Sequence, residues 1–181
     1  MALQQDKLFI QKDAFASYRD VSANLDDDRA NAAIRETQTV DLIDVIGAGL
    51  YRVLQTDFTA PSTWATPKYE TLFNGDVYTP RGQTSEVIYH GIQPMLTYYA
   101  YARLLSTMQL SLTRGGPVTF TEGDVSDPTV QAQIKTKVID ARAMADRYKE
   151  EVIAYLNTKS TDYTEWRNTY VDKPPFQLFK I

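Results

Sequence analysis

Gly47 and Gly49, in the stretch GAGLYR, are the first residues whose spacing suggests chemistry. Paired glycines can cradle the phosphates of a dinucleotide, but that fingerprint needs a preceding strand and a third glycine. Arg52 stands where the third glycine would be, and the surrounding pattern is helical. We therefore favour a packing role, in which the glycines let another part of the backbone approach the helix closely.

Two other stretches could be taken for binding loops. Asp26, Asp27 and Asp28 form an acidic run, but calcium loops need alternating carboxylates, a following glycine and a distal glutamate. A helix N-terminus, where negative charge is favourable, explains the run better. The glycines of RGGP and TEGD, within residues 114–124, lack the Gly-Lys-Ser/Thr ending of a phosphate loop.

The remaining chemical candidates are one histidine and a group of tyrosines. His90 has no serine or cysteine partner in a recognisable motif, so we favour a surface or capping role over that of a catalytic base. Tyr98, Tyr99 and Tyr101 could stack on nucleic-acid bases, but stacking modules combine aromatic with basic residues. Only Arg103 is near and the stretch is helical, which favours core packing. We therefore predict no catalytic, cofactor-binding or metal-binding residues, and no enzyme; a small enzyme with an unrecognised site is a less favoured alternative.

The composition narrows the function classes further. The 181 residues suit one domain, and the formal net charge of −4 argues against a basic surface that grips nucleic acid. The absence of cysteine excludes disulfides and thiolate sites, and one histidine excludes multi-histidine metal sites. No stretch approaches the ~18 apolar residues that would span a bilayer. We expect a protein of the cytosol or of a soluble assembly, with no membrane contact.

Hydrophobic periodicity predicts three long helices. The first runs from about Asp28 to Phe58, and the last begins at Asp127-Pro128, ends near Asn157 and has one wet face. The middle helix, about Ile92 to Leu110, is apolar nearly all the way round, so other helices must contact it from at least two sides. A short helical turn is predicted at Lys68–Phe73.

The rest of the chain is predicted to be a hairpin and two arms. Val77 and Tyr78 would pair with residues 87–89 across a turn that contains Pro80 and Gly82. The predicted fold class is therefore mainly α: a bundle of three long helices plus a short one, with a β-hairpin insertion and extended N- and C-terminal arms. The predicted divisions are an N-terminal arm at 1–25, a helical domain at 26–158 with the hairpin at about 77–90, and a C-terminal arm at 159–181.

The apolar C-terminal tail allows two interpretations. It could fold back on its own domain, or it could dock on a neighbouring chain through an added strand or side-chain pockets. We give more weight to docking, and the candidate subunit-interface residues are Phe176, Leu178, Phe179 and Ile181.

The order of these elements is similar to that of a known family. Residues 25–166 contain five elements in a fixed order. They are a long helix, a hairpin ending in Tyr-His-Gly-Ile, the helix with YYAYARLL, the loop with VTFTEGDVSDP and a final helix. In this order and in these two stretches the chain resembles the head–tail connector, or adaptor, proteins of tailed bacteriophages.

The resemblance implies a helical, non-enzymatic virion protein of the phage neck, assembled in the host cytoplasm. It implies a homo-oligomeric ring, usually dodecameric, between the portal protein and the tail or a second neck protein. DNA would pass through the lumen without specific binding, and an acidic lumen would repel it. The alternative within the same setting is another head- or tail-completion factor.

Overall fold

The computed structural model describes residues 7–19, 26–61, 63–107, 110–113, 116–119 and 128–166. In chain order the helices are α1 (Asp13–Tyr18), α2 (Asp27–Thr37), a π-helical turn (Gln38–Leu42), α3 (Ile43–Asp57), α4 (Pro67–Asn74), α5 (Ile92–Thr107) and α6 (Pro128–Thr158). The strands are β1 (Phe58–Ala60), β2 (Thr63–Trp64), β3 (Asp76–Tyr78), β4 (Val87–Tyr89), β5 (Leu110–Thr113) and β6 (Gly116–Thr119). They form three antiparallel pairs, β1–β2, β3–β4 and β5–β6. The predicted mainly α class is confirmed.

The middle predicted helix, α5, lies at the centre of the fold. α6 packs along it, and α2, α1, α4 and the π-helical turn also contact it. Tyr98 and Tyr101 are buried as predicted. Tyr99 is half-buried, and its hydroxyl donates a hydrogen bond to the carboxylate of Asp146. The apolar surface of α5 is therefore covered by other elements of the same chain.

The first predicted helix is not continuous. α2 begins at Asp27, and Asp26 caps it by accepting a hydrogen bond from the amide of Asp28 at 2.9 Å, as predicted for the acidic run. The π-helical turn follows, and Gly47 then breaks the helical geometry with φ 78° and ψ 155°. Gly47 therefore bends this segment, whereas the sequence interpretation placed it inside a regular helix.

Gly49 has the packing role that its sequence context predicted. A β-carbon at Gly49 would lie 3.0 Å from the carbonyl oxygen of Glu165. The chain after α6 thus returns along α3, where Trp166 is buried and its indole N–H lies 3.5 Å from the carbonyl oxygen of Val45. Tyr163 is buried in the same core.

Residues 7–19, within the predicted N-terminal arm, also pack into the core. Phe9 is fully buried among Tyr51, Phe58, Trp64 and Phe73. The buried side chain of Gln38 holds the backbone there, accepting from the amide of Phe9 at 2.6 Å and donating to the carbonyl of Lys7 at 2.9 Å. Gln55 makes a matching pair of bonds to the backbone of Lys7, at 3.0 Å each.

Candidate interaction surface

The β3–β4 hairpin forms where the sequence predicted it. Val77 pairs with Ile88 and Tyr78 with Val87. Gly75 and Gly91 lie at its base with φ of 112° and 85°. A β-carbon at Gly91 would lie 2.2 Å from the carbonyl oxygen of Phe73, and one at Gly75 would lie 2.5 Å from that of Tyr89. The two chain segments therefore meet so closely at the base that no side chain fits between them.

Tyrosines on one face anchor the hairpin to the helices. The ring of Tyr89 stacks on that of Tyr155 of α6, with centroids 4.1 Å apart, and Tyr78 meets Tyr155 edge-on at 5.0 Å. The Tyr89 hydroxyl donates to the carbonyl of Leu72 at 2.8 Å, and that of Tyr163 donates to the carbonyl of Lys68 at 2.7 Å. The hairpin is thus fixed to both α4 and α6.

Burial of these tyrosine rings raises the pKa of their hydroxyl groups. Burial raises the pKa of Tyr155 to about 12, with the carboxylate of Asp76 adding to the effect. Burial likewise raises the pKa of Tyr89 and Tyr163, reinforced in both by the neighbouring Tyr155. The cluster therefore stays neutral through the physiological range, and its role is packing and hydrogen bonding.

The other face of the hairpin is apolar and open to solvent. Val77 is 55% exposed and its cross-strand partner Ile88 is 64% exposed. Directly opposed residues of an antiparallel pair lie on one face, so these two side chains form a continuous apolar surface. Every residue from 81 to 88 is exposed, including Val87, which pairs with Tyr78 and therefore lies on the tyrosine face. We call Val77 and Ile88 the hairpin patch.

A rigid base below an exposed apolar face is typical of a surface that binds another protein. Single exposed apolar residues need no explanation, whereas adjacent ones that form a contiguous patch can mark a site of protein–protein contact. The hairpin was predicted from the sequence, whereas this patch was missed. The available signal was the alternation along each strand, which places Val77 and Ile88 on the faces opposite to Tyr78 and Tyr89.

The other sequence candidates are not brought together with the hairpin patch. The tail residues Phe176, Leu178, Phe179 and Ile181, and the loop glycines near 114–124 other than Gly116, lie outside the described residues. His90 is half exposed, with Nδ1 2.8 Å from Glu151 and its ring edge-on to Tyr148. Its contacts are those of a histidine at a surface junction between β4 and α6.

A cleft of about 390 Å³ lies beside the hairpin base. One of its two lysines, Lys68, donates to the carbonyl of Asp162 at 2.9 Å and lies over the rings of Tyr69 and Tyr163. The ammonium group of Lys68 is therefore already engaged within the chain. The residues of the cleft connect α4 to the end of α6.

Metal-binding groups and membrane-spanning helices are both absent from the described part of the chain. There, no three histidine, cysteine, aspartate or glutamate side chains are grouped so that they could hold a metal ion. Within the same ranges, no helix has the length and apolar character needed to cross a bilayer.

Comparison with known families gives one match. The model of DUF6712, a family of unknown function, matches residues 42–174, which include the hairpin, α5 and α6. No curated protein and no solved structure matches the chain.

Proposed function

The chain belongs to the DUF6712 family, whose function is unknown, and we propose that it is a structural, non-enzymatic subunit of a tailed-phage head–tail connector. In this role, copies of the chain form a ring between portal and tail, and the hairpin patch contacts the portal protein. The resemblance of residues 25–166 to connector proteins supports the setting. The hairpin patch is the observation that carries the proposal.

The solvent exposure of the hairpin patch is unfavourable in free energy. Burying apolar surface contributes about 25 cal/mol per Å², so solvated Val77 and Ile88 side chains forgo stabilisation that a partner would supply. The hairpin does not need Val77 and Ile88 for its own anchoring, because Tyr78 and Tyr89 on the opposite face hold it. If the hairpin served the fold alone, polar residues at these two positions would be more favourable in water. A rigid hairpin also binds with little loss of conformational freedom.

The charge of the chain suits a protein through which DNA passes. With a formal net charge of −4 per copy, a ring would repel phosphates where acidic residues face the lumen. This part of the proposal requires that the isolated protein show no salt-sensitive affinity for duplex DNA.

Electron microscopy of the chain produced together with the portal protein of the same phage tests the proposal. The expected images show a ring of chain copies on the tail-side end of the portal. Portals that remain bare when the chain is in large excess would contradict it. A gene for the chain far from any portal or capsid gene would count against it as well.

A further inference from the structure

The main-chain groups of Val77 and Ile88 point outward from the hairpin. In an antiparallel pair, opposed residues alternate between those that exchange two main-chain hydrogen bonds and those that exchange none. The Val77 amide donates to the carboxylate of Asp76 at 2.8 Å, so it does not face its opposed residue Ile88. Val77 and Ile88 are therefore a pair of the second kind, and their amides and carbonyls lie along the two outer edges of the hairpin.

Asp76 protects the outer edge of β3. Its Oδ1 atom accepts the hydrogen bond from the Val77 amide, and its Oδ2 atom accepts one from the Tyr155 hydroxyl at 3.3 Å. The donor that this edge offers at Val77 is therefore already used within the chain. A charged side chain held across an edge also hinders the approach of a further strand.

The outer edge of β4 has no such protection in the part of the chain that the structure describes. There, no side chain or backbone group bonds to the outward amide or carbonyl of Ile88. Ile88 is 64% exposed, and Glu86 and Val87 before it are exposed as well. One residue of the hairpin patch thus presents an open main-chain donor, an open main-chain acceptor and an apolar side chain together.

We infer that the portal protein binds the hairpin patch by adding an extended segment to the outer edge of β4. An open strand edge takes up such a segment through main-chain hydrogen bonds, here both of those that Ile88 can make. Directly opposed residues lie on one face, so the residue of the segment opposite Ile88 is apolar, and its apolar residues recur at alternate positions. The inference rests on the proposed function and specifies what the hairpin recognises in its partner.

Proline substitution separates main-chain binding from side-chain binding. Proline has no amide proton, and an edge strand tolerates it where that proton faces outward. Ile88→Pro therefore keeps the bonds between β3 and β4 and removes the donor that meets the portal. Val77→Pro is the matched control, because its amide already donates to Asp76.

The affinity of each full-length variant for the portal protein is measured once circular dichroism has shown that its fold is retained. Ile88→Pro should bind about tenfold or more weakly than Val77→Pro, because the carbonyl of the added segment loses its donor at a buried contact. Equal affinities of the two variants would overturn the strand addition and leave the connector role standing.

Amide hydrogen exchange of the natural protein is a second readout that needs no substitution. The Ile88 amide should exchange rapidly in the free chain and about tenfold or more slowly in the portal complex. The Tyr89 amide, which faces β3, should exchange slowly in both. Mass spectrometry of quenched samples at single-residue resolution measures these rates.

Two exchange results would overturn the strand addition. Rapid exchange at Ile88 in a saturated complex would show that the portal leaves the edge open. Slow exchange at Ile88 in the free chain would show that a second copy covers the edge. A portal protein that binds no chain at all would contradict the proposed function together with this inference.

Discussion

The rings of Tyr89 and Tyr155 stack nearly parallel, with an interplanar angle of 10° and centroids 4.1 Å apart. This contact joins the hairpin to α6 across 66 positions of the chain. It distinguishes the two faces of the hairpin, since Tyr78 and Tyr89 on one face are buried while Val77 and Ile88 on the other are exposed. The exposure of the hairpin patch therefore depends on the Tyr89–Tyr155 stack, although neither tyrosine belongs to the proposed binding surface.

Tyr155→Ala should destabilise the protein and loosen the hairpin. Deleting a buried aromatic ring costs about 3–5 kcal/mol. Tyr155→Phe is the matched control: it keeps the ring and removes only the hydroxyl, which lies 3.3 Å from Asp76, at a cost of about 1 kcal/mol. Urea unfolding followed by circular dichroism measures both. Equal losses for the two variants would show that the ring stack does not hold the hairpin.

Gly91→Ala should be far more harmful than Gly82→Ala. Both glycines have positive φ, 85° and 81°, so each substitution costs about 1–2 kcal/mol of backbone strain. Only at Gly91 would the new methyl group also meet backbone, because nothing lies within 4 Å of a β-carbon at Gly82. Thermal unfolding of the two variants gives the comparison. Similar melting temperatures would contradict the close crossing at the hairpin base.

Stability should fall at alkaline pH because of the tyrosine cluster. An unfolded tyrosine loses its proton near pH 10, whereas the pKa of Tyr155 in the fold is about 12. The folded state therefore holds the proton more tightly, and this stabilisation is complete below pH 10 and is lost as pH rises toward 12. Unfolding free energies measured from pH 9 to 12 should decline, and they should decline less steeply in Tyr155→Phe. Identical slopes in the two proteins would refute this assignment.

Arg103→Met should weaken the contact between α5 and the π-helical turn. Nε and Nη2 of Arg103 donate to the two carboxylate oxygens of Asp41 at 2.9 and 3.1 Å, and the pair is mostly buried. Losing these charged hydrogen bonds costs about 1.5–3 kcal/mol. Lys12→Met, which breaks the exposed pair with Asp27, is the control and should leave the unfolding free energy nearly unchanged. A loss as small as that of the control would contradict a structural role for Arg103.

Local patterns sufficed to predict α5, α6 and the hairpin. The apolar stripe of α6 and the turn residues Pro80 and Gly82 act within a few positions, and a sequence shows such signals directly. The break at Gly47 was missed because a glycine inside a helical period looks the same whether the helix bends or continues. The docking of Phe9 depends on Gln38 and Gln55, which are far away in sequence and carry no pattern.

The hairpin patch was missed for a related reason. Alternation in a strand shows that Val77 and Tyr78 point to opposite faces, but it cannot show which face the helices cover. That choice is made by Tyr155, more than 60 positions later. The sequence therefore predicts the hairpin, whereas tertiary packing determines which of its two faces is exposed.

The most direct test is the affinity of the chain for the portal protein of its own phage, before and after the hairpin patch is made polar. Val77→Ser with Ile88→Ser removes the apolar face and leaves the tyrosine anchor intact. Thr84→Ala, at an exposed position of the same hairpin, is the control. The connector account predicts tight binding by the natural protein and by the control, and binding weakened at least tenfold in the double variant, since ~1.4 kcal/mol of lost apolar burial corresponds to tenfold. Equal affinities for all three proteins, or no affinity in any, would contradict it.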